Sequence, residues 1–365
     1  MTGLRIALLL HSPSGGGAQR RTLDLAGALA AQGARVRLVM ASAEGPLADR
    51  LPANVEIVVL KGAWARAHRM VQCAAIIPAL TCWLRRERPH ILMAAANHVH
   101  LTALAAHALA GGRTRLVLRA SNHLEGGSRG QPLMDWLKRL SVRLYARADA
   151  VVAVSEDLAG QLRRLCPAAK ISVLPNPVVD ASFPARMNAA APHPWLGEPV
   201  LLGCGRLEKQ KGFPTLVRAA ARLGMRLIIL GEGRERPHLE ALACELGVPL
   251  ALPGFVPDPL PWMAHATAFA LSSAWEGMPG ALIEAMACGC PCVATNAPGG
   301  GVEVLAGLGP LVAIGDDRAL AQALSDIMAA PPPPEALKLR AAQYSVEAGA
   351  RAYGSLFTAL TAASP

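Results

Sequence analysis

Glu276 and Glu284 stand with seven residues between them in the passage Ser272-Ser-Ala-Trp-Glu276-Gly-Met-Pro279-Gly-Ala-Leu-Ile-Glu284-Ala. An apolar run ends at Ser272, and Pro279 suits a first helical turn, while Met278, preceding a proline, is disfavoured in helix. A helix opening near Pro279 has free N–H groups at its tip, suited to phosphate oxygens. A carboxylate beside a phosphate is electrostatically misplaced, so the two glutamates suit hydroxyls instead. Each can accept two hydrogen bonds from a vicinal diol, the way a ribose is held in dinucleotide folds. The plainer account is an exposed loop acid and a helix-start acid favoured by the dipole.

A second passage, Gly203-Cys-Gly205-Arg206-Leu-Glu208-Lys-Gln-Lys211-Gly212-Phe, ends a strand in Gly-x-Gly and then places two cations five residues apart. Arg206 offers a planar fork and Lys211 a point charge, a pair fit to neutralise a departing diphosphate without a metal. Ser14-Gly15-Gly16-Gly17-Ala follows the first strand and offers backbone amides to an anion, while Gly231-Glu232-Gly233 makes a tight turn at another strand end. In Arg119-Ala-Ser-Asn122-His123, the side chains of Arg119, Asn122 and His123 can hold an acceptor hydroxyl or a sugar, although a lone histidine is as often structural.

Such residues need a scaffold that brings strand ends together. Short apolar runs alternate with helical patterns from end to end, the pattern of parallel α/β layers. Strands are expected at Leu4–Leu10, Arg35–Ala41, Val55–Leu60, His90–Ala94, Leu116–Arg119 and Ala150–Val154 in a first sheet. A second is expected from Val200–Cys204, Arg226–Leu230, Leu250–Leu252, Ala268–Ser272, Cys292–Thr295 and Leu311–Ile314. Six prolines between Pro175 and Pro199 read as the connection, and Pro331–Pro334 separates a last helix, Val346 to Leu360. The expected domains are 1–180, 181–345 and a terminal helix within 346–365.

At 365 residues with 52% hydrophobic content, two cores are affordable, and 17% charged residues exclude a disordered polyampholyte. Residues 1–180 carry 23 Lys+Arg against 11 Asp+Glu, and the rest carry 13 against 15, so the excess positive charge sits in the first half. That asymmetry suits an anionic membrane surface or a basic solubilising face. Nucleic acid is disfavoured, because aromatic residues are only 4% of the chain. Two basic stretches, Arg66 to Arg88 and Met134 to Arg147, read as amphipathic helices able to rest on an anionic leaflet. Cys288-Gly-Cys290-Pro-Cys292 lacks the usual metal-ligand spacing and reads as small packing residues, so no metal is expected. No apolar run has the length of a membrane span, and the first strand does not read as a leader, which sets the expected location as cytoplasmic with peripheral attachment to the inner face of the plasma membrane.

Taken together these passages resemble the family four retaining glycosyltransferases, which have two Rossmann-like parallel-sheet domains facing across a cleft (GT-B). The matching residues run in order from Gly15 through Ser155-Glu156, Pro175-Asn176-Pro177, Gly205-Arg206-Leu207, Lys211-Gly212-Phe213, Gly231-Glu232-Gly233, Gly254-Phe255, Glu276 and Glu284 to Pro298-Gly299-Gly300. The resemblance implies that Arg206 and Lys211 bind the donor diphosphate, Glu284 the nucleotide ribose and Glu276 the transferred sugar, with His123 near that sugar. It further implies donor contacts from Gly16, Gly17, Gly205, Gly231, Gly233, Gly277, Met278, Pro279, Gly280, Ala281 and Leu282, and a last helix packed on the first domain. The reaction expected is retaining transfer of a hexose or N-acetylhexosamine, UDP-linked by default, to a glycan or lipid-linked acceptor, with no cofactor. A nucleotide-sugar epimerase and a non-catalytic sugar-nucleotide-binding scaffold are the alternatives.

Overall fold

A computed structural model describes residues 1–14, 16–60, 69–123, 136 and 140–362. The chain divides into two compact units, Met1–Pro177 with Val346–Pro365, and Val178–Ser345.

The first unit is built on seven strands, β1 (Arg5–Leu10), β2 (Arg35–Met40), β3 (Glu56–Val59), β4 (Ile91–Ala94), β5 (Arg115–Ala120), β6 (Ala150–Ala153) and β7 (Ile171–Val173). They pair in parallel in the order β3-β2-β1-β4-β5-β6-β7. Its central strands are continuous apolar runs because both faces are covered; Leu8, Leu9 and Leu10 are all fully buried. The strand β7 was not expected from the sequence. It is three half-buried residues beside the Pro175–Pro177 run, too short for a periodic signal.

The second unit holds β8 (Val200–Cys204), β9 (Arg226–Leu230), β10 (Leu250–Gly254), β11 (Ala268–Leu271), β12 (Cys292–Thr295) and β13 (Leu311–Val312). Their order is β10-β9-β8-β11-β12-β13, again parallel. The two edges are the irregular strands: β13 keeps only two residues, and β10 carries Pro253 with a register shift between Ala251 and Gly254. Residues 178–199, expected as linker, belong to this unit and include the helix Phe183–Met187, with the N–H groups of Val178 and Val179 both donating to the Tyr344 carbonyl.

In each sheet the chain leaves one strand and returns on its far side, between β1 and β4 and between β8 and β11. Such reversals part the loops at the carboxyl edge and open a crevice where ligands bind in open α/β sheets. The helix Val346–Ala362 packs on the helix Gly17–Ala31, and its Tyr353 and Phe357 are fully buried in the first unit's core with Leu25 and Leu29. Each such aromatic ring contributes about 2–3 kcal/mol of burial free energy.

Of the two basic stretches, the described part of the first forms the helices Arg69–Ala75 and Ile77–Glu87, with Arg85, Arg86 and Arg88 exposed. Of 134–147, residues 134, 135 and 137–139 lie outside the described residues; its end is a short 3-10 turn, Leu144–Arg147, that buries Tyr145. Among the described residues no helix is long and apolar enough to cross a membrane.

Candidate active site

The loops after β8 and β11 meet at the reversal point of the second sheet. From β8 the chain runs through Gly205, Arg206 and Leu207 into a 3-10 turn, Lys209–Lys211, and at Gly212 takes a left-handed conformation with φ +60° before the helix Phe213–Leu223. A side chain at Gly212 would place its Cβ 2.1 Å from the Ser272 carbonyl oxygen, so only glycine lets the two loops close on each other. Three hydrogen bonds then clip them together: Ser272 Oγ to the Lys211 carbonyl at 2.8 Å, Ala274 N–H to the Gln210 carbonyl at 2.8 Å, and Gln210 Nε2 to the Trp275 carbonyl at 2.8 Å.

This clip sets Lys211 against Glu276. Lys211 Nζ donates to Glu276 Oε1 at 2.6 Å, and Ser273 Oγ donates to the same oxygen at 2.6 Å. Both contacts fall on Oε1, and Oε2 has no partner among the described residues. The backbone behind the carboxylate is fixed from the next loop, by Glu276 N–H to the Pro298 carbonyl and Gly300 N–H to the Gly277 carbonyl. Arg206 is exposed, and its guanidinium has no hydrogen-bond or ion-pair partner among the described residues.

The helix Gly280–Ala287 begins one residue beyond Pro279, which is its N-cap. At a helix start the N–H groups of Gly280 and Ala281 have no intrahelical acceptor, whereas Leu282 donates to the Pro279 carbonyl. Glu284, on this helix, is only 5% exposed. It lies close enough to Arg186 to act on it: the Asp258 hydrogen bond first, and then the Asp258, Asp180 and Glu284 charges, raise the Arg186 pKa against desolvation. Arg186 itself forms a two-pronged pair with Asp258, at 2.9 and 2.6 Å. Burial pushes the neighbouring Cys288 thiol up to about 12, and the Cys290 and Cys292 thiols above their ordinary value. All three stay protonated and donate to backbone carbonyls.

Residues 198–330 match the family model described as glycosyl transferases group 1, and residues 15–181 the one described as glycosyltransferase family 4. The chain is 31% identical over 252 residues to a lipopolysaccharide core biosynthesis glycosyltransferase of Rhizobium meliloti, a match spanning 67% of each chain. The chain belongs to the glycosyltransferases. Over 139 residues, 36% of this glycosyltransferase and 38% of the relative, it is 36% identical to an N-acetylgalactosaminyltransferase of Campylobacter jejuni named for a diphospho-undecaprenol-linked acceptor. Among solved structures it superposes on sucrose-phosphate synthase from Thermosynechococcus elongatus with a TM-score of 0.83 and 21% identity, covering 99% of this chain and all of that one. Anabaena HepE in complex with UDP and glucose superposes with a TM-score of 0.83 and 20% identity, over 98% and 100% of the two chains. These neighbours establish the fold as GT-B.

The glycosyltransferase therefore brings Gly205, Arg206, Lys211, Glu276, Gly277, Met278, Pro279, Gly280, Ala281 and Glu284 to the carboxyl edge of one sheet. Gly231 and Gly233 pack there for a steric reason. Cβ atoms at these positions would meet the Gly205 and Leu207 carbonyl oxygens at 2.0 and 2.3 Å, so they let two strand-end turns lie in contact. Leu282, expected as a donor contact, has a fully buried side chain, and its N–H donates to the Pro279 carbonyl. Met278 and Pro279 are also buried, which leaves them backbone roles only.

In the first unit, Gly16 caps and Gly17 opens the helix that follows β1. Arg119 is a correction. It is fully buried, donating to Thr22 Oγ1 at 3.2 Å and to Asn176 Oδ1 at 2.5 Å, so it braces the core instead of meeting an acceptor. Asn122 bonds its neighbour's N–H, and His123 Nε2 lies 3.0 Å from Asp157 Oδ2. Sequence reasoning missed Ser273, Gln210, Arg186 and Asp258, and in the first unit Asn97, whose Nδ2 donates to the Asn122 carbonyl at 3.2 Å. Ser273 was in the quoted passage, but only the loop geometry reveals that its hydroxyl faces Glu276. Arg186 and Asp258 had no motif to mark them.

Proposed function

We propose that this glycosyltransferase moves a hexose or N-acetylhexosamine from a nucleotide diphosphate sugar, UDP-linked, to a glycan or lipid-linked acceptor in cell-surface polysaccharide assembly, with retention at the anomeric carbon and no metal. One observation carries the reading: Lys211 and Ser273 hold Glu276 by one oxygen and leave the other to accept from a sugar hydroxyl, with Arg206, whose side chain has no partner among the described residues, five positions before Lys211 and the helix Gly280–Ala287 opening four positions after Glu276. A cation pair, a helix tip and a half-used carboxylate are what a diphosphate joined to a sugar needs. Support comes also from relatives named for lipopolysaccharide and colanic acid assembly, and from structural neighbours solved with UDP.

In this mechanism Glu276 orients the donor sugar and Glu284 accepts from the nucleotide ribose. The bond from the anomeric carbon to the phosphate oxygen breaks while the acceptor oxygen bonds to the same face. The acceptor proton passes to the leaving phosphate. Arg206, Lys211 and the N–H groups of Gly280 and Ala281 stabilise the charge that develops there. His123, oriented by Asp157, is the first unit's candidate for a sugar or acceptor hydroxyl. Cytoplasmic location with peripheral attachment by the basic first half is part of the reading and rests on the charge asymmetry.

The test is a turnover assay with UDP-, GDP- and ADP-linked sugars and a panel of glycan acceptors. UDP sugars are expected to serve as donors and give a product of unchanged anomeric configuration by proton NMR. In Arg206→Ala/Lys211→Ala, turnover is expected to fall by roughly 10³-fold or more, the scale seen when a preorganised charge contact is removed. Wild-type turnover in that variant would overturn the assignment, and an inverted product would overturn retention.

A further inference from the structure

At the amino edge of the first sheet, the edge opposite that sheet's Asn122 and His123, three arginines gather without any acid. A cavity of about 420 Å³ is lined by Arg85, Arg88, His107, Gly112, Arg113 and Thr114 among others, and no lining residue is a carboxylate. None of Arg85, Arg88 and Arg113 has an ion-pair partner among the described residues. Their neighbours in sequence differ: Arg86 pairs with Glu87 and Arg115 with Asp149. Acids are thus available along these same elements, and the three arginines that line the cavity are the ones left unpaired.

The backbone is arranged to keep them there. Arg88 sits at the C-cap of the helix Ile77–Glu87 with φ +44°, a left-handed conformation that glycine adopts freely and a side chain adopts at a cost of about 1 kcal/mol. An arginine at this position places a guanidinium where glycine is the cheaper choice. Arg5 Nη2 donates to the Arg88 carbonyl at 2.9 Å and so holds the turn. Arg85 Nη2 donates to the Leu109 carbonyl at 2.6 Å, and His107 Nε2 donates to the Thr114 carbonyl at 2.6 Å.

Two helices, Ile77–Glu87 and His100–Ala110, end at this cavity, and a helix C-terminus repels an anion with roughly half an elementary charge. Three guanidiniums outweigh both ends, and Arg5 and Arg85 already cover carbonyls of those ends. Capping the dipoles accounts for Arg85 and Arg88. It leaves Arg113 unexplained, since this exposed side chain has no hydrogen-bond partner among the described residues.

We propose that the first unit carries a second anion site here, a pocket in which Arg85, Arg88 and Arg113 bind a phosphate-bearing group. Planar guanidiniums match phosphate oxygens in bidentate geometry, and a cavity of this size admits a diphosphate. The group comes either from a soluble phosphate ester or from a phospholipid headgroup.

The experiment titrates inorganic pyrophosphate by calorimetry at fixed salt into the Arg206→Ala/Lys211→Ala chain, so that the diphosphate grip proposed in the second unit does not contribute. The same titration is repeated after adding Arg88→Gln/Arg113→Gln, and separately after adding Arg86→Gln as a control at an exposed arginine outside the cavity lining. Binding is expected to weaken at least tenfold in the former and to stay unchanged in the latter. Sedimentation with vesicles of 30% phosphatidylglycerol in phosphatidylcholine separates the sources. Loss of vesicle binding on adding Arg88→Gln/Arg113→Gln identifies a headgroup, and unchanged vesicle binding alongside weakened pyrophosphate binding identifies a soluble ester. No pyrophosphate binding before the pocket substitutions, equal binding after them, or an equal loss in the Arg86→Gln control overturns the proposal.

Discussion

Glu276 carries its two contacts on one side. Lys211 and Ser273 both reach Oε1, and the pair is largely shielded from water, with side-chain exposures of 17% for Lys211 and 10% for Glu276. Breaking such a pair from one side leaves a charge in a poorly solvated place, which costs about 3–5 kcal/mol where burial is complete and less here. Lys211→Met and Glu276→Gln are therefore each expected to destabilise the chain by about 2–3 kcal/mol. The double variant should cost less than the sum, with a coupling of about 1–3 kcal/mol by denaturant unfolding. Strict additivity would mean that the two side chains do not hold each other. The oxygen left over, Oε2, is the acceptor that the proposed contact with a donor-sugar hydroxyl uses.

At the scale of elements, the site is made by glycines that let loops touch. Gly212 and Gly231 both have positive φ, and a Cβ at either would come within 2.1 Å of a carbonyl oxygen of a neighbouring turn. Gly247 has φ +66° with nothing near it, so it isolates the conformational cost from the steric one. Gly247→Ala is expected to cost about 1 kcal/mol, and Gly212→Ala or Gly231→Ala about 3 kcal/mol or more together with loss of nucleotide binding. Equal costs at all three, read as shifts in Tm, would mean that the loops have room to part. These contacts also mark where the sequence stops informing. Central strands were legible because they are buried on both faces and read as unbroken apolar runs, and Arg206, Lys211, Glu276 and Glu284 were legible as charges placed after strand ends. The short edge strand β7 carries too few residues for a pattern, β13 keeps only two of the four residues expected at Leu311–Ile314, and only strand order tells that Lys211 and Glu276 adjoin. Arg119 misled because a charged residue after a buried strand looks exposed, whereas Thr22 and Asn176, distant in sequence, complete its burial.

At the scale of the whole molecule, stability follows pH through His100. It is fully buried, donating from Nε2 to the Arg119 carbonyl at 3.1 Å and accepting at Nδ1 from the Tyr145 hydroxyl at 2.6 Å. Burial lowers its pKa from the ordinary 6.5 to about 4. The unfolded chain then binds a proton that the folded chain refuses, so stability is full above about pH 6.5, falls as pH drops toward 4 and levels off below. The shift corresponds to about 3 kcal/mol. Unfolding free energies of wild type and His100→Gln between pH 4 and 7 should differ by this slope, and parallel profiles would refute it. Two units of one architecture, a basic first half and a last helix returned to the first core describe a chain organised around the sheet edge where Arg206, Lys211, Glu276 and Glu284 gather. The most direct measurement of that claim is a calorimetric titration of UDP into wild type and Arg206→Ala/Lys211→Ala. Affinity is expected to fall at least 100-fold, about 3 kcal/mol; equal affinity in the two proteins would contradict it.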